Sequence, residues 1–514
     1  MRRFRVILAG AALLALAALV VFQWQAGRLE RRIEARIVAE AAKLGAVARV
    51  EGVRVALWPP LRVSGLVVEK PGIGQVAVEE VSVRPRLLGR SGFGPFVRIA
   101  VGPTVVALAG DLEIQLNASE WDWDGRSTAE LAEPTGGLRL RVVSEPDVRR
   151  LEVTATELDI GRLAGVRLEQ SVLQPGLIDG ELRGEERVAD RSLDARFRVR
   201  AAFGECSGTA QLSRSASPPR IELGIELDRL DFARLFAALG IERPFGSDAL
   251  GSLHADVAAS GPLDDPREVV VTQRLDFEPP AKLPATLLRL RGDFVHNATA
   301  PDGSNVRIDV SPGSHDFVAR ADVPPLFVRT LLLAEDSAFF THRGLDLGEL
   351  PKALAANWAK GGAVRGASTI TQQLAKNLFL SREKSLKRKL QELALAFLLE
   401  AALGKERILE IYLNVIEWGP QLYGLRPAAR HYFGKEPGAL TPKEMAFLVV
   451  MIPGPVKYQR SFHEGALSAG LEPLVVNLLA KLRSVDALSE DEYQAALAET
   501  LAFRRPDALP PAEP

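Results

Sequence analysis

Gly366-Ala367-Ser368-Thr369-Ile370-Thr371-Gln372-Gln373-Leu374-Ala375-Lys376-Asn377 is the stretch that decides how this chain is read. Its small and hydroxyl residues stand where a helix begins. There they can cap the first turn and present backbone amides and hydroxyls to an anion. Three further segments flank it. Upstream lies Glu335-Asp336-Ser337-Ala338-Phe339-Phe340-Thr341-His342-Arg343-Gly344-Leu345-Asp346. Downstream come Arg388-Lys389-Leu390-Gln391-Glu392, and then a run from Arg407-Ile408-Leu409-Glu410-Ile411-Tyr412-Leu413-Asn414 to Ala428-Ala429-Arg430-His431-Tyr432-Phe433-Gly434-Lys435. All four sit in a part of the chain, from about Ala321 onward, whose apolar residues recur at three and four spacing. Lys387 to Leu403 is an example, with Leu390, Leu393, Leu395, Phe397 and Leu398 among its apolar positions. That period predicts packed amphipathic helices.

The residue types in these segments suggest a chemistry. Glu335 follows the apolar run Leu331-Leu332-Leu333-Ala334, so its carboxylate is expected to be partly desolvated and its pKa raised toward a value useful for proton transfer. Glu392 is a second carboxylate, and the i, i+4 spacing puts it on one helical face with Arg388. Arg382, Lys384, Lys387, Arg388 and Lys389 stand against the single acid Glu383, with Lys376 upstream, a local cationic patch suited to a phosphate-bearing ligand. Taken singly, each feature has a plainer reading. A Glu-Asp pair at a helix end is usually solvated, a Lys/Arg run is usually a wet face, His342 alone is more often structural, and Ser-Thr-x-Thr is most often a cap. Their joint order and spacing point further: two carboxylates beside a cationic site of diphosphate size.

Together the segments resemble the peptidoglycan glycosyltransferase family, glycosyltransferase family 51, over roughly residues 320–460. Gly366 to Leu380 is the most specific part. Tyr412-Leu413-Asn414-Val415-Ile416-Glu417-Trp418-Gly419, continuing to Tyr423-Gly424, is similar to the monofunctional transglycosylase branch. The resemblance implies a mainly α, lysozyme-like domain that takes lipid-linked substrate from a membrane. It implies that Glu335 is the catalytic base acting on the acceptor 4-hydroxyl of lipid II. Glu392 would be a second catalytic glutamate on the donor side, acting directly or through a divalent metal, magnesium or manganese. Lys376 and Arg388 match residues contacting the diphosphate. Asp336, Phe339, His342, Ser368, Thr369, Gln373 and Asn377 match site-shaping, substrate-binding positions. Ala338 stands where a basic residue is common, and Leu345 where isoleucine is. Neither removes a proposed chemical group. Only residues 461–514 follow, too few for a Ser-x-x-Lys transpeptidase domain, so penicillin binding is not expected.

Outward from this region the texture changes. Residues 48–315 alternate apolar and polar positions, as in Val50 to Val55, Gln75 to Val83, Leu138 to Val143, Leu193 to Ala201 and Ile221 to Leu227, with Gly and Pro between. That is the signature of half-buried strands. A weak repeat pairs Leu158-Asp159-Ile160-Gly161-Arg162-Leu163 with Leu230-Asp231-Phe232-Ala233-Arg234-Leu235. Residues 28–315 loosely resemble the AsmA-like family of envelope proteins, and a generic exported β spacer fits them as well. At the start, Arg2, Arg3 and Arg5 precede an apolar run from Val6 to Phe22, with Trp24 beyond. At about 1.5 Å per helical residue, such a run of roughly 17–19 residues nearly spans a ~30 Å hydrocarbon core, and its charges put the N-terminus in the cytoplasm. A cleaved signal peptide would have a shorter apolar core and a small-residue cleavage site, whereas Phe22-Gln23-Trp24-Gln25 follows here.

The expected fold class is therefore multidomain. A cytoplasmic stub and transmembrane anchor occupy 1–27, and a β-rich AsmA-like periplasmic region 28–315. The glycosyltransferase domain follows over 316–485, and a C-terminal helix with a Pro-rich tail over 486–514. The expected location is the inner membrane, single-pass, with the bulk periplasmic. Expected partners are lipid II, the growing glycan, the membrane and cell-wall synthesis proteins. The net charge of −1 gives no field for nucleic acid, and the single Cys206 excludes an intramolecular disulfide. Two other functions fit the residues: a lytic glycan hydrolase, or an envelope lipid-handling protein whose C-terminal domain binds lipid II without turnover.

Overall fold

The computed structural model describes residues 28–504, apart from 44, 57–60, 72–73, 90–91, 109–111, 117, 124–127, 133–136, 160–163, 169–170, 173–175, 191, 247–249, 301–302, 352, 354, 356–367, 382–384, 456–461 and 463–464. The expected anchor and Pro-rich tail, and the centre of the first repeat copy, lie outside the described residues. Among the described residues no helix is long and apolar enough to cross a membrane. The chain divides into two compact units.

Among the described residues, the first unit is built from 28–242 together with 253–276 and the start of 351–365. It is strand-rich, as the alternation predicts. Leu138–Ser144, Val148–Asp159, Leu177–Arg187, Leu193–Ala201, Gly204–Ser213 and Arg220–Asp231 pair antiparallel in that order. Register aligns Leu140, Val153, Leu182, Phe197, Gly208 and Ile225 across the sheet. Because side chains alternate, this makes one face apolar and leaves the other to arginine and glutamate. Arg150 pairs with Glu185 at 3.1 Å and Arg200 with Glu205 at 2.9 Å on the charged face. A groove of about 780 Å³ on that face is lined by Arg183, Arg196, Arg198, Glu226 and Asp256, among others.

The second unit comprises residues 243–252, 277–350 and 366–514. It opens with a hairpin, Phe294–Thr299 with Asn305–Val310, so the compact helical body takes in chain from the strand-rich part of the sequence. Contacts between distant parts of the chain tie in the segment ahead of the hairpin: Arg291 donates to the Ala402 carbonyl at 2.8 Å, and Arg407 to the Leu290 carbonyl at 2.9 Å. The helices that matter for the site are α1 (Pro325–Glu335), α2 (Ile370–Phe379), α3 (Leu386–Ala402) and α4 (Lys405–Val415). Leu425–Phe433, Pro442–Met451, Glu472–Ser484 and Glu490–Ala498 are helices that complete the unit. The sequence explains their starts. Pro325 opens α1, Thr369 and Gln372 form a capping box on α2, and Ser385 caps α3. Leu395, Leu398, Ile411, Trp418, Tyr432 and Phe447 have essentially no exposure and form the core.

Asn414, buried near the end of α4, ties this core to the chain entering α1. Its amide accepts from Val318 N–H and donates to the Val318 carbonyl, both at 2.9 Å, and also reaches the Glu410 carbonyl at 2.8 Å. Asn414→Leu keeps the branched shape and heavy-atom count and leaves the Val318 donor and acceptor buried without a partner on this side chain. It is expected to destabilise the unit by about 2–4 kcal/mol, read as a lowered urea midpoint with an unchanged slope. A midpoint equal to wild type would contradict this role.

Candidate active site

Glu335 is the last residue of α1. The helix buries Phe327, Val328 and Leu331 and so carries its final carboxyl into the protein. Gln373 on α2 donates its Nε2 to Glu335 Oε2 at 2.8 Å. Burial pushes the Glu335 carboxyl above its ordinary range, and the neighbouring Asp336 charge adds to this. Gln373 donation and the Lys376 charge oppose it. The net effect is a carboxyl held closer to neutrality, as a general base needs.

Asp336 faces another way. Both its oxygens meet His342 Nε2, at 2.9 and 3.0 Å, and Oδ2 also accepts the Ile370 N–H at 2.8 Å. Gly344 N–H donates to His342 Nδ1 at 3.1 Å. With Nδ1 accepting, the ring proton of the neutral imidazole sits on Nε2 and points at Asp336. The Gly344 carbonyl in turn accepts from Thr369 Oγ1 at 2.8 Å. Gly344 has a φ of +93°, which a glycine adopts without strain. Asp336, His342, Gly344 and Thr369 thus bolt the loop after α1 to the start of α2, and this fixes Gln373 over Glu335.

A second cluster gathers on α3. Glu392 is buried at 3% exposure. Arg388 Nη1 meets its Oε2 at 2.6 Å, and Lys389 Nζ makes a short contact with its Oε1. Lys389 also donates to Ser368 Oγ at 2.8 Å and to Gln372 Oε1 at 3.3 Å. All three ammonium protons therefore have acceptors. Arg388 Nε is buried with no hydrogen-bond partner among the described residues. The cationic patch expected from sequence is thus partly neutralised by Glu392, and Arg382 and Lys384 lie outside the described residues. Among the described residues no group of three or more His, Cys, Asp or Glu side chains converges, and both Glu392 oxygens are occupied by cations. Glu392 is an ion-pair partner in this structure.

Of the residues singled out in the sequence, Glu335, Gln373 and Lys376 form one group and Ser368, Arg388 and Glu392 another. Asp336, His342 and Thr369 form the brace between α1 and α2. Phe339 is fully buried, with Lys405 Nζ 4.4 Å from its ring centre and Phe340 and His342 at its edges, so it supports the loop from beneath. Lys405 is held in turn by Glu400, which also accepts from Thr371 at 2.6 Å. Asn377 is half-buried on α2, its backbone against His296. From sequence, Lys389 reads only as a member of the cationic patch, and Gln372 and Tyr412 carry no assigned role. Lys389 was legible as i, i+3 to Glu392. Tyr412, whose hydroxyl donates to Gln373 Oε1 at 2.8 Å, sits within an apolar helix and reads from sequence as an ordinary core residue.

The family model described as Transglycosylase matches residues 305–473. A protein of Azoarcus sp. (strain BH72) named biosynthetic peptidoglycan transglycosylase is 46% identical over 148 residues, covering 29% of this chain and 64% of that one. The protein of the same name from Herminiimonas arsenicoxydans is 44% identical over 156 residues, 30% of this chain and 67% of that one. This chain thus spans a little under two thirds of the length of most of these curated relatives. A crystal structure of penicillin-binding protein 1A from Haemophilus influenzae aligns over 42% of this chain and 22% of that chain, with 21% identity and a TM-score of 0.22.

Proposed function

Because the chain belongs to the peptidoglycan transglycosylase family through its C-terminal unit, we propose that it polymerises lipid II into β-1,4-linked glycan strands. The observation that carries this reading is the half-buried, proton-hungry carboxyl of Glu335 against Gln373 of α2, and the cation-clad Glu392 whose Lys389 partner reaches Ser368 and Gln372 at the start of the same helix. Glu335 takes the proton from the 4-hydroxyl of the acceptor N-acetylglucosamine as that oxygen attacks the anomeric carbon of the growing chain's muramyl residue. The bond from that carbon to the diphosphate oxygen breaks with its electron pair, and undecaprenyl diphosphate leaves. Attack opposite an α-linked leaving group gives a β product. A positioned base supplies about 10²–10⁴-fold, and cations aimed at the charge building on the diphosphate add to that. Arg388, which matches the family position that contacts the diphosphate, is the residue suited to that role, while Lys389 holds Glu392, Ser368 and Gln372 in register.

We also propose that the protein works at the outer face of the cytoplasmic membrane, anchored by residues 6–22. The strand-rich unit would then be a periplasmic element between anchor and enzyme. Leu378-Phe379-Leu380 is a candidate apolar flank for membrane contact, although the Phe379 ring already meets Phe245 at 5.1 Å. Purified full-length protein given labelled lipid II is the test. Lengthening chains with release of undecaprenyl diphosphate support the reading. Shortening of preformed glycan would instead identify a hydrolase, and lipid II bound without product would identify a binding protein.

A further inference from the structure

We propose that Tyr412 is a positioning residue for the base: its hydroxyl orients the Gln373 amide so that the NH₂ group, not the carbonyl, faces Glu335. The proposal rests on the reading of Glu335 as the general base, and extends it to a residue that touches neither substrate nor reacting atom. The geometry is a linear relay through one side chain. Tyr412 O–H donates to Gln373 Oε1 at 2.8 Å, and Gln373 Nε2 donates to Glu335 Oε2 at 2.8 Å. A glutamine amide can turn over at little internal cost, so what meets each end decides which way it lies. Reversed, Gln373 would put a carbonyl lone pair against the Glu335 carboxylate, an arrangement that favours the protonated acid.

Tyr412 is well suited to forbid that reversal. It is fully buried on α4, so its ring cannot swing away to water. Burial and the carboxylates of Glu335 and Asp336 hold its phenol well above its usual range, so it stays an O–H donor throughout the working pH. The same donation that aims Gln373 keeps Glu335 ionisable, because an NH₂ group on a carboxylate favours its charged form. The titratable groups facing Glu335 are Asp336 beside it, Lys376 one turn along α2 from Gln373, and Tyr412 from α4. The variants below leave Asp336 and Lys376 unchanged.

The experiment is the pH dependence of lipid II polymerisation by full-length wild type, Tyr412→Phe, Gln373→Met and the double variant. Tyr412→Phe is expected to lower kcat about tenfold, the upper end of what one neutral hydrogen bond is worth, with KM little changed. Its acidic limb should move to higher pH, since Glu335 loses the donor that favours its charged form. Gln373→Met should move the limb the same way, and the double variant no further than Gln373→Met alone. A limb at the wild-type position in Tyr412→Phe or, if that variant does not fold, in Gln373→Met would overturn the proposal, even where kcat falls. A readout independent of turnover is the carboxyl infrared band lost in Glu335→Gln, titrated in each background. Wild type that fails to polymerise would count against the proposed function, while the infrared titration would still decide the role of Tyr412.

Discussion

Glu335→Gln is expected to remove lipid II polymerisation to below about one part in a thousand of wild type, while the protein stays folded. The amide keeps the size of the carboxyl and can still accept from Gln373, but it cannot take a proton, and a positioned base is worth about 10²–10⁴-fold. The stability of the variant is the sharper half of this prediction. Burial raises the Glu335 pKa in the folded protein above its unfolded value. A carboxyl shifted in that direction supports folding below its unfolded pKa and loses that support as pH rises through the folded pKa. At neutral pH the ionised Glu335 is therefore a cost, and Glu335→Gln should melt at the same temperature as wild type or higher, the gap closing as pH falls. Polymerisation assays beside thermal melts at several pH values check both parts. Retained activity would remove Glu335 as base, and a lower melting temperature at neutral pH would contradict the desolvation account. In wild type the acidic limb of activity should lie above the ordinary glutamate pKa of 4.5.

Glu392→Gln should cost both stability and activity. Its carboxylate is nearly inaccessible, with side-chain exposure of 4%, against 15% for Arg388 and 41% for Lys389. Removing the one negative charge leaves a largely buried guanidinium without a counterion. Lys389 can turn partly to water, so the expected loss is about 3 kcal/mol, the lower end of what breaking a buried pair costs. Activity should fall at least about a hundredfold, because Arg388, Lys389, Ser368 and Gln372 all take their positions from this carboxylate. Replacing the pair together, as Arg388→Met with Glu392→Leu, should restore most of the stability, since a packed apolar pair often matches a buried ion pair. Activity should not return with it. Urea denaturation and polymerisation measured on the same preparations separate the two effects, and joint recovery would reduce Glu392 to a structural role.

The comparison of these two glutamates shows how differently their surroundings could be read. The Glu392 cluster is largely local. Arg388 and Lys389 are i−4 and i−3 on the same helix, and helical geometry alone brings them to it. The start of α2 was legible as well, since hydroxyl residues at 368 and 369 suit a cap and Thr369 caps the turn that follows it. So was the alternation of the strand-rich unit, because a two-residue period is built into an extended chain. The partial burial of Glu335 followed from the greasy run before it.

What the tertiary structure alone decided are contacts between residues far apart in the chain. Gln373 reaches Glu335 across 38 positions and Tyr412 reaches Gln373 across 39, and no local period encodes either distance. Nor did composition show that the cationic patch would be spent on Glu392 and Ser368 instead of standing free, or that the hairpin at 294–310 belongs with the helices through Arg291 and Arg407. Sequence by itself determined which side chains could carry a charge or a proton, and on which face of each helix they lie, because those follow from residue type and backbone period. Which of them meet was settled only when the helices packed, because a buried polar group takes its partner from whatever element covers it.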